Sequence, residues 1–161
     1  MNGQTKARSV LRPGIVIGIG VGGFFDGIVF HQILQWHHML STVYPPDSIA
    51  NLQIDTLADG LFHAAALVFT VIGVFWLWRA FGRTRTYFST RILIAAIFIG
   101  WGAFNMVEGI VDHHILQIHH VHPGENQLFW DLAFLAWGAL MVMIGWLLIR
   151  SRSRSTVPAK D

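Results

Sequence analysis

The chain has 161 residues, of which 53% are hydrophobic, 12% are charged and none is cysteine, with a formal net charge of +2. Because soluble domains carry about 25% charged residues, this composition argues against a soluble globule. The lack of cysteine excludes disulfide scaffolds and iron–sulfur proteins. Nine histidines are a high number for so apolar a chain.

Four apolar stretches follow one another along the chain, at residues 13–36, 59–78, 92–118 and 129–149. Each has about 20 residues or more, which as a helix crosses the ~30 Å hydrocarbon core of a bilayer. The first is too long for a signal peptide and contains Asp26 and His31. The sequence therefore predicts an all-α, polytopic membrane four-helix bundle. Its single transmembrane domain covers 13–150, between a cytoplasmic segment 1–12 and a disordered cytoplasmic tail 151–161.

The basic residues predict the orientation of the spans. All eleven lie before the first span, between the second and third, or after the fourth: Lys6, Arg8, Arg12, Arg79, Arg83, Arg85, Arg91, Arg150, Arg152, Arg154 and Lys160. By the positive-inside rule, both termini are then cytoplasmic. The basic pI thus reflects topology, so we expect the lipid bilayer, and no nucleic acid, as a partner.

An internal duplication is visible in the first and third spans. Residues 26–38 match residues 108–120 at nine of thirteen positions, with a constant offset of 82. The second and fourth spans match more weakly at an offset of 72, which pairs Asp59 with Asp131. The sequence therefore predicts two tandem transmembrane hairpins in the same orientation, at 13–79 and 91–150, related by a pseudo-two-fold axis along the membrane normal.

Acidic and imidazole side chains concentrate at one predicted depth. Counted from the cytoplasmic arginines at about 1.5 Å per residue, the layer lies about 21–32 Å up, in the outer third of the membrane. Its members on the spans include Asp26, His31, His63, Glu108 and His113. Charged groups at such depth are costly, so their alignment indicates a function. The alternative is a cofactor-free polar network that stabilises the bundle.

Imidazole and carboxylate without thiolate suit copper, zinc, iron or manganese. We expect His31, His63 and His113 as metal ligands, and as further ligands or residues that orient them Asp26, Asp59, Glu108 and Asp131. For Asp59 and Asp131, capping of a helix N-terminus is an equal explanation. Secondary candidates are Asp112, His37, His38, His119 and His120. For the four histidines of that set, exposure at the membrane interface explains the positions equally well.

The sequence is also compatible with other functions. His31 and His113 could be the axial ligands of a haem, although nearby carboxylates argue against an apolar haem slot. Chains of Asp, Glu and His also form proton or ion paths, but the inner halves of the spans carry few polar residues. A structural or assembly partner without cofactor is a further alternative. No catalytic residue is predicted, and ligands alone do not distinguish an enzyme from a metal carrier.

The duplicated motif Gly-Ile-Val-x-His-x-Ile-Leu-Gln-x-His-His resembles a family of small bacterial four-helix membrane proteins with a domain of unknown function. The resemblance covers about residues 13–150. It implies a multi-pass protein of the bacterial cytoplasmic membrane. The association of that family with genes for cytochrome oxidase assembly implies copper and a partner in a respiratory complex. The resemblance implies no role for any residue.

Overall fold

The computed structural model describes residues 3–83 and 89–151, and this part of the chain is helical. It contains four α-helices, α1 (Gly3–Asp26), α2 (Ile49–Arg83), α3 (Thr90–Glu108) and α4 (Gln127–Arg150). Each belongs to a segment long and apolar enough to cross a membrane: Val10–Ile33, Ile49–Gly82, Thr90–Ile115 and Gln127–Arg150. The predicted all-α fold with four spans is confirmed. The sequence predicts a disordered tail at 151–161. Residues 152–161 of this tail lie outside the described ranges.

The second helix begins ten residues earlier than the apolar pattern predicts, at Ile49 instead of 59. The Ser48 hydroxyl accepts a hydrogen bond from the Asn51 backbone N–H, and the Ser48 carbonyl accepts one from Leu52 N–H. Ser48 therefore caps a polar first section of α2 that a hydropathy pattern does not detect. As a result, Asp59 lies inside the helix, and the capping explanation does not apply to it.

Both α1 and α3 continue into a π-helical segment, Gly27–Ile33 after α1 and Gly109–Ile115 after α3. Two residues after the end of each segment lies a glutamine with a φ of 51°, Gln35 in the first repeat and Gln117 in the second. This left-handed conformation is uncommon for residues with a side chain. It turns the chain out of the helix, so the predicted helical continuation to 36 and 118 is wrong. The residues that follow fold back against the bundle.

The core of the bundle lies between α1 and α3. Gly18 and Gly100 sit at equivalent positions of the duplication, and neither has room for a Cβ atom. A Cβ on Gly18 would lie 2.2 Å from the Ile97 carbonyl oxygen, and one on Gly100 would lie 2.0 Å from that of Ile15. Small residues thus bring the two backbones into contact. In addition, α2 packs on α1 and α4 packs on α3, while the exposed apolar side chains lie mainly on α2 and α4. The pseudo-two-fold axis stays a prediction.

Candidate metal centre

Four buried histidines meet at one end of the bundle, and we call His31, His37, His113 and His119 the histidine cluster. The π-helical segments supply His31 and His113, and the returning chain supplies His37 and His119. No member is more than 2% exposed. The rings of His37 and His119 stack with centroids 4.8 Å apart, while His31–His37 and His113–His119 lie 4.5 and 4.9 Å apart.

Each returning histidine is held by the backbone of the other repeat. His37 Nδ1 lies 2.8 Å from the Val121 carbonyl oxygen, and His119 Nδ1 lies 3.0 Å from the Met39 carbonyl oxygen. Since a carbonyl only accepts, both Nδ1 atoms donate. Burial, together with the nearby His119 and His31, holds the pKa of His37 well below its usual value. The His37 ring is therefore neutral near pH 7, and its Nε2 keeps a lone pair.

Asp59 fixes the orientation of His31 from α2. Its Oδ1 lies 2.8 Å from His31 Nδ1, and its Oδ2 lies 2.8 Å from His38 Nδ1. The same carboxylate accepts hydrogen bonds from the Met39 backbone N–H and the Gln32 amide. It is 1% exposed. Asp59 therefore connects the first π-helical segment, the returning chain and α2.

Asp131 has the equivalent position on α4. Its Oδ2 lies 2.8 Å from His120 Nδ1, and its Oδ1 accepts from the Val121 backbone N–H at 3.0 Å. Its distance to His113 Nδ1 is longer, at 3.5 Å. The two repeats thus use one device, a buried carboxylate that holds two histidines and one backbone N–H, with a looser contact in the second repeat.

Two further carboxylates face the other nitrogen atoms of the cluster. Asp26 Oδ2 lies 3.1 Å from His31 Nε2, and Glu108 Oε1 lies 3.1 Å from His113 Nε2 and 3.0 Å from His119 Nε2. Asp26 and Glu108 are equivalent in the duplication and are 2% and 5% exposed. Both are therefore withdrawn from water beside imidazole rings.

The donor atoms form two groups that share one residue. His31, His37 and His119 form the first group, and Glu108, His113 and His119 form the second. In each, the ligand atoms lie within 4.8 Å of one another. Among the described residues, several buried atoms of the cluster and its carboxylates lack a hydrogen-bond partner: both oxygens of Asp26, Oε2 of Glu108, and Nε2 of His31, His37 and His113. Such atoms are costly to bury, and a bound cation would satisfy them.

The contacts of His119 require one more proton, on the ring or on the carboxyl group, or a cation. Its Nδ1 proton is directed at the Met39 carbonyl, while its Nε2 faces the Glu108 carboxylate. A neutral ring with its proton on Nδ1 would present a lone pair to that carboxylate. Either a second proton or a metal cation must therefore accompany this contact. The same holds for His31, which has a carboxylate at each nitrogen.

The structure brings most of the sequence-predicted residues together. Asp26, His31, Glu108 and His113 meet at the centre, Asp59 and Asp131 hold their histidines in place, and His38 and His120 contact those two carboxylates. Neither donor group includes Asp26, Asp59, Asp131, His38 or His120, which form ion pairs within the site. His63 and Asp112 are also outside both groups, and among the described residues they form no ion pair with the site. His63 Nδ1 donates to the Asp59 backbone carbonyl at 2.7 Å, and its ring lies against Gly27.

Of the two explanations that the sequence leaves open for His37 and His119, exposure does not apply, and the sequence pattern missed Asp55. The two histidines are in the centre instead of at an exposed interface. Asp55 is 0% exposed, and its Oδ1 accepts a hydrogen bond from the Leu40 backbone N–H. It lies four residues before Asp59, so the two share a helix face. That spacing could have identified Asp55 if α2 had been predicted to begin before 59.

The comparison with protein families gives one match that covers most of the chain. Residues 13–152 match the family described as "Predicted membrane protein (DUF2243)". The chain belongs to this family. No curated protein and no solved structure matches the chain. Membership confirms the resemblance inferred from the duplicated motif and the location in a membrane, and the family description names no activity.

Proposed function

We propose that this protein is an integral membrane protein that binds a transition metal ion, copper, zinc or iron, through the histidine cluster with Asp26 and Glu108. One observation carries the proposal. Nδ1 of His31, His37 and His119 is hydrogen-bonded to an oxygen acceptor, and Nδ1 of His113 lies 3.5 Å from Asp131 Oδ1, which leaves the four Nε2 atoms for an ion. Metal-binding histidines are commonly oriented by a carboxylate or backbone carbonyl at the other nitrogen.

The donor set fits an ion in type and in spacing. Nitrogen and carboxylate oxygen donors suit zinc, copper and iron. Ligands lie about 2.0–2.2 Å from zinc, so two donors on one ion are at most about 4.4 Å apart. The separations of up to 4.8 Å within each group need only small side-chain movements to reach that value. The ion would supply Lewis acidity or redox chemistry, and the donor set supports a metal carrier and a metal-dependent enzyme alike.

The ring packing favours an ion over a haem. His37 and His119 each lie beside both His31 and His113, with ring centroids 4.5–6.3 Å apart. A haem between His31 and His113 would have to displace these stacked rings. A cofactor-free network of protonated histidines is the second candidate, because protons would also satisfy the paired carboxylates.

The proposal includes an orientation for the site. The cluster lies at the C-terminal ends of α1 and α3, whereas the arginines lie at the opposite ends of the helices. The positive-inside rule then supports cytoplasmic termini and a site near the extracytoplasmic face, in a bacterial cytoplasmic membrane. A partner in a respiratory complex, and the preference for copper that it implies, rest on the resemblance alone.

Metal analysis of the purified full-length protein tests the proposal. We expect at least one bound ion per chain by mass spectrometry of the metals, or spectroscopic binding of Co²⁺, Cu²⁺ or Zn²⁺ to the metal-free protein. The variant His113→Ala should lose the ion. The control His122→Ala, an exposed histidine beside Trp36 and Trp130, should keep it. A Soret band would favour haem. Absence of binding by the folded wild type would overturn the proposal and favour the protonated network.

A further inference from the structure

An apolar pocket lies beside the histidine cluster, between α4 and the end of α1. Its volume is about 280 Å³, and six aromatic residues line it: Phe25, Phe30, Trp36, Trp130, Phe134 and Trp137. An engineered cavity of about 150 Å³ already accepts benzene. The pocket therefore has room for a substituted aromatic ring, and most of its lining residues are aromatic.

One buried polar group among these apolar walls has no partner. Asn105 lines the pocket and is 2% exposed. Its side-chain oxygen Oδ1 has no hydrogen-bond partner among the described residues. A buried acceptor without a donor is unfavourable. An occupant that presents a hydroxyl group to Oδ1 would remove this cost, whereas a hydrocarbon chain would not.

The pocket wall is in direct contact with the cluster. Phe30 stacks on the ring of His37 at a centroid distance of 6.2 Å, and Phe134 lies 5.3 Å from the ring of His113. Phe30 and Phe134 also contact each other edge to face at 6.4 Å. An occupant of the pocket is therefore separated from the histidine cluster by a single layer of rings.

The duplication does not reproduce the lining residues of this pocket in the other half. At the equivalent positions, Gly23 stands for Asn105, Asp112 for Phe30, and Ala65 for Trp137. The acceptor and two of the aromatic walls are thus specific to one side. Residues needed only to pack a four-helix bundle would be expected in both repeats, so a buried acceptor and aromatic residues found in one half of the duplication point to a ligand.

We propose that this pocket binds the ring of a lipid-soluble phenol or hydroquinone whose hydroxyl group donates a hydrogen bond to Asn105 Oδ1. The ring stacks among the aromatic walls, and the ligand enters from the bilayer, since Phe25 and Trp137 at the wall are partly exposed on the outer surface of the bundle. Binding depends on the ring and its hydroxyl and does not require a metal ion in the cluster.

Two matched probes test the proposal on the full-length protein without added metal. Tetramethylhydroquinone carries hydroxyl donors, and 1,2,4,5-tetramethylbenzene has the same ring and methyl groups without them. In calorimetric titrations with a detergent blank, we expect the hydroquinone to bind about tenfold more tightly, as one buried hydrogen bond requires. Equal binding of the two probes would overturn the proposal and identify the pocket as a site for a lipid chain.

Variants locate the binding site. Asn105→Leu should lower hydroquinone binding about tenfold, to the level of the hydrocarbon, and leave the hydrocarbon unaffected. Ala133→Phe fills the pocket from its exposed rim and should lower the affinity for both probes by at least about tenfold. Its control is Leu61→Phe, at the equivalent exposed position of α2. Unchanged binding in Ala133→Phe would overturn the proposal even if Asn105→Leu failed to fold, and neither result depends on whether the cluster binds a metal.

Discussion

The two repeats of the molecule are alike at their centre and different at their flanks. At the centre, each repeat supplies a carboxylate, a π-helical histidine and a returning histidine, and each returning histidine bonds the backbone of the other repeat. At the flanks, the first repeat carries Gly23 and His63. The second repeat carries Asn105 and Leu135 at the equivalent positions. The histidine cluster therefore forms only when both repeats are present. The flanks of the two repeats differ in sequence and can bind different ligands.

We expect the largest effect on stability from substitution of the two carboxylates that orient the histidines, Asp59 and Asp131, and we expect the two substitutions to differ. Asp59→Ala removes the acceptor for His31, His38 and the Met39 backbone N–H, and leaves His31 fully buried beside the lost carboxylate. We expect a loss of about 3–5 kcal/mol in the free energy of unfolding, as for other broken buried pairs. Asp131→Ala should cost less, because its contact to His113 is longer at 3.5 Å.

Thermal unfolding in one detergent, under one metal condition, compares these two variants. The exposed Asp47, which accepts a hydrogen bond from Asn51, gives the control Asp47→Ala, for which we expect little change. A larger loss in Asp131→Ala than in Asp59→Ala would contradict the ranking. Equal losses would show that the difference between 2.8 and 3.5 Å has no energetic consequence.

The sequence predicted that residues of the first and third spans lie in one layer, but it did not predict how the chain folds around them. Helical phase and the count from the arginines placed Asp26, His31, Glu108 and His113 in one layer, and the structure brings them together. For His37 the sequence left ligation and exposure equally open, because a straight helix would carry it to the membrane boundary or beyond. The π-helical turn and the positive φ at Gln35 reverse the chain there. No residue pattern signals this reversal, because glutamine is an uncommon residue in the left-handed region.

A second prediction separates the two returning histidines. His119 belongs to both donor groups, whereas His37 belongs to one. We expect His119→Gln to weaken Co²⁺ or Cu²⁺ binding by at least about 100-fold, equivalent to about 2.7 kcal/mol, and His37→Gln to weaken it less. Spectroscopic titration of the metal-free protein measures both, with His122→Gln as control. Equal losses would indicate a single ion bound symmetrically by the two repeats.

The smallest effect is expected at His63, which the sequence predicts as a ligand. A Cβ on Gly27 would lie 2.6 Å from His63 Nε2, and a Cβ on Gly109 would lie 2.8 Å from Leu135 Cδ2. Histidine and leucine therefore fill the same space against equivalent glycines. Since volume-conserving exchanges cost less than about 1.5 kcal/mol, His63→Leu should preserve stability within that range and leave metal affinity within about threefold. A loss as large as that of His119→Gln in the same titration would instead make His63 a ligand. It would also require α2 to shift toward the histidine cluster when the ion binds.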